Sequence, residues 1–219
     1  CRTAEASPTA GSFFRAVFES RMGGLIATEQ QTVDTFANPL GLDFQPLLVA
    51  ADLEGHADNA AASALGGFTV AAGGRAVSLE MPAGIELLVW WPESSTSTDA
   101  SRRVLPDAVP LADAAFSIAR AAMWVAAVAQ GDLGLLREAS QDRVHQPGRL
   151  AARPDTAAVL EHLLGEESVL AAWLSGSGPT VAALVPADAD TSGLAAGLPS
   201  AGRTRRLAVA PNGVRVVNP

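Results

Sequence analysis

The chain has 219 residues, 48% of them hydrophobic, which is enough to bury a substantial core as one large or two small domains. A net charge of −8 argues against a general binder of phosphate backbones, so nucleic acid is not an expected partner. No apolar run approaches the roughly 20 residues that span a bilayer, and no membrane partner is expected either. Cys1 is the sole cysteine, which excludes an internal disulfide and a thiolate metal cluster and fits a reducing cytoplasm. The fifteen cations are all arginine and tyrosine is absent, a bias that points to the base composition of the coding DNA. No signal-peptide pattern is visible, and a first residue other than Met leads us to expect a fragment or a processed start.

In chain order, residues 1–36 show no clean period beyond a short apolar face at Phe13, Phe14, Val17 and Phe18. The stretch from Phe44 to Leu53 reads as a helix that delivers Glu54 at its end. The alanine-rich residues 57–65 read as a second helix, capped near Asp58 or Asn59 and stopped by Gly66-Gly67. Strands are expected at 68–72, 76–81 and 85–91. After the polar loop Ser94-Ser95-Thr96-Ser97-Thr98, a helix over about 111–129 is so apolar that it is expected to lie between other elements. Further helices are expected over 133–144 and 156–164, then strand, glycine loop and strand at 169–174, 175–179 and 180–185. A short helix near 188–196 and a strand near 205–210 complete an α/β alternation.

Chemistry-bearing residues concentrate in four places. Glu54-Gly55-His56-Ala57-Asp58-Asn59 packs two acids, an imidazole and an amide into six positions. Its carboxylates can take Mg²⁺ through oxygen while Asn59 bonds a substrate, or Asp58 and Asn59 can simply cap a helix. In Ser175-Gly176-Ser177-Gly178-Pro179-Thr180, two glycines between apolar strands either gather backbone N–H groups around an anion or make a tight connection. A Walker-type site is excluded, since it needs a lysine and the chain has none. Arg102-Arg103 and the segment Asp142 to Arg149 bring guanidinium forks that suit an anionic substrate, or pair with surface acids. His145 is equally consistent with a hydrogen-bonded structural histidine, His162 sits in an amphipathic helix, and no histidine pair has the spacing of a zinc site.

The order and spacing of Glu54 to Asn59 with Gly66-Gly67-Phe68, Arg102-Arg103-Val104-Leu105-Pro106, Asp142 to Arg149, and Leu174 to Thr180 resemble homoserine kinases of the GHMP kinase superfamily. The likeness covers roughly residues 37–210, and the His-Gln-Pro and Val-Leu-Pro segments favour this branch over the mevalonate and galactose branches. It implies an α/β (α+β) GHMP kinase fold. An incomplete N-terminal portion like ribosomal protein S5 would span 1–84, atypical over 1–36, and a ferredoxin-like C-terminal domain would span 85–219. It further implies transfer of the γ-phosphoryl of ATP to the hydroxyl of L-homoserine in threonine biosynthesis, in the cytoplasm, by a homodimer.

By the same resemblance, His56, Asp58 and Asn59 line the homoserine pocket, Arg102 and Arg149 grip the amino acid, and Thr180 and the glycine loop close the site, Thr180 toward the substrate and Gly176, Ser177 and Gly178 toward the nucleotide. Asp58 and Arg102 are the catalytic candidates and Glu54 is the candidate Mg²⁺ ligand. The family's Asn-Leu-Gly-type motif and its Gly-Leu-Gly-Ser-Ser-Ala phosphate loop have no counterpart; near the expected loop stands Met22-Gly23-Gly24-Leu25-Ile26-Ala27-Thr28. Residues 1–36 are therefore expected to derive from a truncated or frame-shifted coding sequence joined to an intact frame. Two other readings stay open: a catalytically silent remnant that binds homoserine or a partner chain, and a GHMP kinase for another small alcohol.

Overall fold

The computed structural model describes residues 57–72, 75–93 and 98–213. The expected helix from Phe44 to Leu53 and the apolar face near Phe13 lie outside the described residues. The chain divides into two units, one from Cys1–Met81 and Ala208–Pro219 and the other Pro82–Leu207. The boundary expected at 84/85 compares with 81/82 here, and the last residues return to the first unit.

In the first unit, helix α1 (Ala57–Leu65) is followed by strands β1 (Phe68–Ala72) and β2 (Arg75–Leu79), which pair antiparallel with Phe68 opposite Leu79. Alanine carries the helix through its high propensity, and its buried face is small: Ala60 and Ala61. Gly66 and Gly67 end it at φ +72° and +68°, where other residues are strained. A side chain at Gly66 would also meet the backbone of Asn212 at 2.4 Å. Ser78 fastens the turn to the hairpin, its hydroxyl donating to the Gly66 carbonyl at 2.6 Å.

The second unit is built on strands β3 (Ile85–Pro92), β4 (Ala171–Leu174), β5 (Val181–Pro186) and β6 (Gly202–Ala208). They lie in the order β4-β5-β3-β6, with β3 and β4 each antiparallel to β5. Helices intervene between β3 and β4 and between β5 and β6, so the unit has the ferredoxin-like split βαβ arrangement expected from the sequence. Strands β3 and β5 are near-continuous apolar runs because they occupy the middle of the sheet.

The helices are α2 (Thr98–Arg103), α3 (Leu111–Gln130), α4 (Leu136–Ala139), α5 (Gln146–Ala151), α6 (Pro154–Gly165) and α7 (Ser192–Ala196). Val159 and Leu163 of α6 and Leu194 of α7 join Leu88, Trp90 and Val181 of the sheet in one core. Pro154 starts α6 where a missing N–H costs nothing. At its other end Arg137 donates to the carbonyls of Leu164, Glu166 and Val169, which the helix itself cannot satisfy.

Three expectations are corrected. Helix α3 runs over 111–130 but is not enclosed: only Ala127 and Val128 are buried, and Leu111 and Ile118 are 85% and 70% exposed. By length and composition alone this 20-residue helix passes as a membrane span, contrary to the reading that no apolar run comes near that length. Its far end is fixed by Trp124, whose ring meets Trp173 of β4 edge to face at 5.4 Å. The single helix expected over 133–144 is instead a 3-10 turn at Leu133–Leu135 and the short α4, because Asp142 captures the backbone beyond it. Helix α2 was not anticipated at all.

Leu163 is fully buried in the core of α6 and the sheet. Leu163→Ala should lower stability by about 2–4 kcal/mol. The check is urea denaturation, with a lower midpoint at an unchanged slope.

Candidate active site

The segment Asp142 to Arg149 is organised by one carboxylate. Asp142 accepts hydrogen bonds from the backbone N–H of Val144, His145 and Gln146 at 3.1, 2.7 and 2.8 Å, and from the Ser117 hydroxyl at 2.9 Å. The same Ser117 oxygen accepts from Arg143 N–H at 3.0 Å, so α3 and the start of α5 share this cluster. Burial raises the Asp142 carboxyl, but the hydrogen bonds from Gln146, His145, Ser117 and Val144 outweigh it and hold the group below the usual carboxylate range.

Helix α5 then sends two side chains in different directions and brings a glycine against the neighbouring backbone. Gln146 is buried; its oxygen accepts from Leu174 N–H at 2.8 Å and its nitrogen donates to the Ser140 carbonyl at 3.3 Å. Gly148 is needed for close approach, since a Cβ there would lie 2.7 Å from the Val104 carbonyl. Arg149, half-buried, donates through Nη1 to His145 Nδ1 and to the Gly176 carbonyl, both at 3.0 Å, and makes a long contact of 3.5 Å from Nε to the Ser101 carbonyl. Both Nη1 hydrogens are thus spent on neutral acceptors, while Nη2 and the positive charge have no carboxylate partner among the described residues.

The glycine loop joins β4 to β5. Ser175 N–H donates to the Thr180 carbonyl and Gly178 N–H to the Ser175 carbonyl, and Gly176 and Gly178 take φ of +55° and +70°. This turn presents carbonyls toward α2 and α5: Gly176 to Arg149, and Ser177 to the buried Ser101 hydroxyl at 2.7 Å. Between these elements lies a cleft of about 240 Å³, lined by Ser101, Arg149, Arg153, Thr156, Ser177 and Gly178 among others. Thr156 is fully buried and donates to the Pro179 carbonyl at 3.3 Å.

Of the residues picked out by sequence, the second unit brings Arg149, Gly176, Ser177 and Gly178 together. Arg102 is exposed beside Ser101, and its charge helps lower the Arg149 pKa after burial, against Asp142. Thr180 is buried where the loop enters β5. Asp58 and Asn59 occupy the first turn of α1 in the other unit, with Asn59 N–H donating to the Asp58 carboxylate at 3.0 Å. Glu54 and His56 lie outside the described residues. Sequence reasoning missed Ser101 and Thr156, which no local pattern marks, and left Gln146 and Gly148 without roles.

Residues 124–202, inside the second unit, match the family model described as GHMP kinases C terminal. Over a longer stretch the chain is similar to homoserine kinases. It is 43% identical over 141 residues to that of Thermus thermophilus, a match covering 64% of this chain and 48% of that protein. It is 40% identical over 189 residues to that of Mycobacterium tuberculosis, covering 80% and 58%. The crystal structure of homoserine kinase from Cytophaga hutchinsonii shares the fold with a TM-score of 0.71 at 23% identity, over 87% of this chain and 67% of that one. The chain thus spans about half the length of the sequence relatives it matches.

In Asp142→Asn, whichever way the amide is turned, its NH₂ faces at least one backbone N–H that the carboxylate had satisfied. The loss expected near pH 7 is about 1–3 kcal/mol. Because the folded-state pKa of Asp142 is depressed, its contribution is complete above the unfolded value and fades as pH falls through the folded one. Urea titrations from pH 7 to pH 3 should therefore show the gap between wild type and variant closing at the acid end.

Proposed function

We propose that this chain carries the amino-acid-gripping part of a homoserine kinase, which phosphorylates the hydroxyl of L-homoserine with ATP in the cytoplasmic synthesis of threonine. One observation carries the reading: Arg149 stands at the cleft with no ion-pair partner and Nη2 unspent among the described residues, held by the His145 ring and the Gly176 carbonyl. A guanidinium held in this way recognises a carboxylate, and homoserine offers its α-carboxylate to such a fork. The four sequence motifs and the similarity to homoserine kinases agree with that assignment.

In the reaction the homoserine hydroxyl oxygen forms a bond to the γ-phosphorus. The bond from that phosphorus to the β,γ-bridging oxygen breaks, ADP leaves with the electron pair, and the hydroxyl proton passes to solvent. Phosphoryl transfer of this kind depends on position and charge more than on a strong base. Arg149 fixes the amino acid, Arg102 adds positive charge beside it, Ser177 and Gly178 of the glycine turn line the cleft, and Gly176 and Thr180 hold that turn through their carbonyls. Asp58 and Asn59 keep the substrate-ligand roles that the resemblance implies. Among the described residues no group of three or more acidic, histidine or cysteine side chains could hold a metal ion, and Glu54, the candidate ligand for the Mg²⁺ that would accompany ATP, lies outside them.

Calorimetric titration of the chain with L-homoserine should show binding that Arg149→Ala weakens about ten- to a hundredfold. Arg149→Lys should not restore it, because an ammonium lacks the planar fork. ADP release from Mg·ATP, dependent on homoserine and lost in Arg149→Ala, would establish turnover. Binding without turnover would favour a silent homoserine binder, and no binding at all would sink the reading.

A further inference from the structure

We propose that His145 is a positioning residue for Arg149: its neutral ring presents the Nδ1 lone pair to Nη1, orients the guanidinium for its anionic ligand, and releases it when protonated. The inference deepens the reading of Arg149 as the carboxylate grip and rests on it.

The hydrogen-bond chemistry leaves one arrangement. A guanidinium only donates, so the 3.0 Å contact from Arg149 Nη1 makes Nδ1 the acceptor and puts the ring proton on Nε2. Nε2 in turn lies 3.8 Å from Asp142 Oδ2, the oxygen that also receives the His145 and Gln146 N–H groups. Polarity therefore runs one way, from a fixed carboxylate through the Nε2 proton and the Nδ1 lone pair to a guanidinium one helical turn on. Among the described residues the charged groups acting on the ring are Asp142 and Arg149, and Arg102 of α2 acts on Arg149 in turn.

A proton added at Nδ1 would set two donors and two positive charges 3.0 Å apart, which breaks the contact. Burial and Arg149 hold the ring's pKa below its ordinary value against the pull of Asp142, so the accepting form prevails at neutral pH. As pH falls through this lowered pKa the ring charges and the grip loosens.

Two measurements on the whole chain test this. First, long-range nitrogen NMR of the ligand-free chain should find the His145 ring in the Nε2–H tautomer, with an Nδ1 signal that moves in Arg149→Ala. An Nδ1–H tautomer would overturn the proposal whatever homoserine does. Second, L-homoserine affinity of the wild type should fall several-fold from pH 7.5 to pH 5, with up to one proton released on binding at the acid end. His145→Asn places a non-titrating amide oxygen near the Nδ1 position; it should keep affinity within a few-fold at pH 7.5 and show little pH dependence. His145→Ala should bind several-fold more weakly at pH 7.5. A wild type whose affinity is flat with pH, or a His145→Asn variant as pH-sensitive as the wild type, overturns the proposal. Failure to bind homoserine at any pH overturns the substrate reading instead, and the ligand-free ring spectrum tells the two failures apart.

Discussion

The arrangement around the cleft depends on one largely buried carboxylate and the donors it collects. Asp142 costs free energy to remove from water, and that cost is offset only because three backbone N–H groups and one hydroxyl converge on it. The convergence stops the preceding helical segment at Ala139 and starts α5 at Gln146. It also fixes the rotation of α5. With the first turn locked, Gln146 meets Leu174 N–H, Gly148 slides under the Val104 carbonyl, and Arg149 reaches the glycine loop. Sequence neighbours within one helical turn thus tie together the sheet, the segment after α2, and the turn between β4 and β5.

Much of the second unit was legible because its elements announce themselves locally. Strand β3 is an apolar run bounded by Pro82-Ala83-Gly84, and the β4–β5 hairpin is marked by two glycines between short apolar runs. Helix α6 is opened by Pro154-Asp155. What misled was composition read as burial. Helix α3 is alanine-rich with few charges, which suits an enclosed helix, yet its fully buried residues, Ala127 and Val128, lie at one end. The segment from Leu133 to Val144 has helical composition throughout, but a side-chain carboxylate competes for the backbone at its end and splits it, a local effect that periodicity does not register.

The site was legible in its arginines and its glycine loop, since charge forks and permissive turns are visible as residue types. Ser101 was not, because its hydroxyl serves a carbonyl 76 positions later in the chain. Nor was Thr156, whose hydroxyl reaches the loop from a helix that otherwise looks like ordinary core. The loop also behaves differently from the anion cradle that its glycines suggest. Toward α2 and α5 it offers carbonyls, and the Gly178 N–H is already spent on Ser175.

That choice of carbonyls explains how a guanidinium can be oriented and still be available. A carboxylate partner would hold Arg149 firmly but would neutralise it and compete with any carboxylate ligand. A carbonyl oxygen and an imidazole lone pair fix the direction of Nη1 while leaving the full positive charge in place. Arg102 nearby makes the region more positive in a chain whose net charge is −8, which burial alone would oppose. Asp142 draws on Arg149 as it does on the His145 ring, yet among the described residues it makes no ion pair with the guanidinium, so on the proposed reading an arriving anion meets a cation that is oriented but not neutralised.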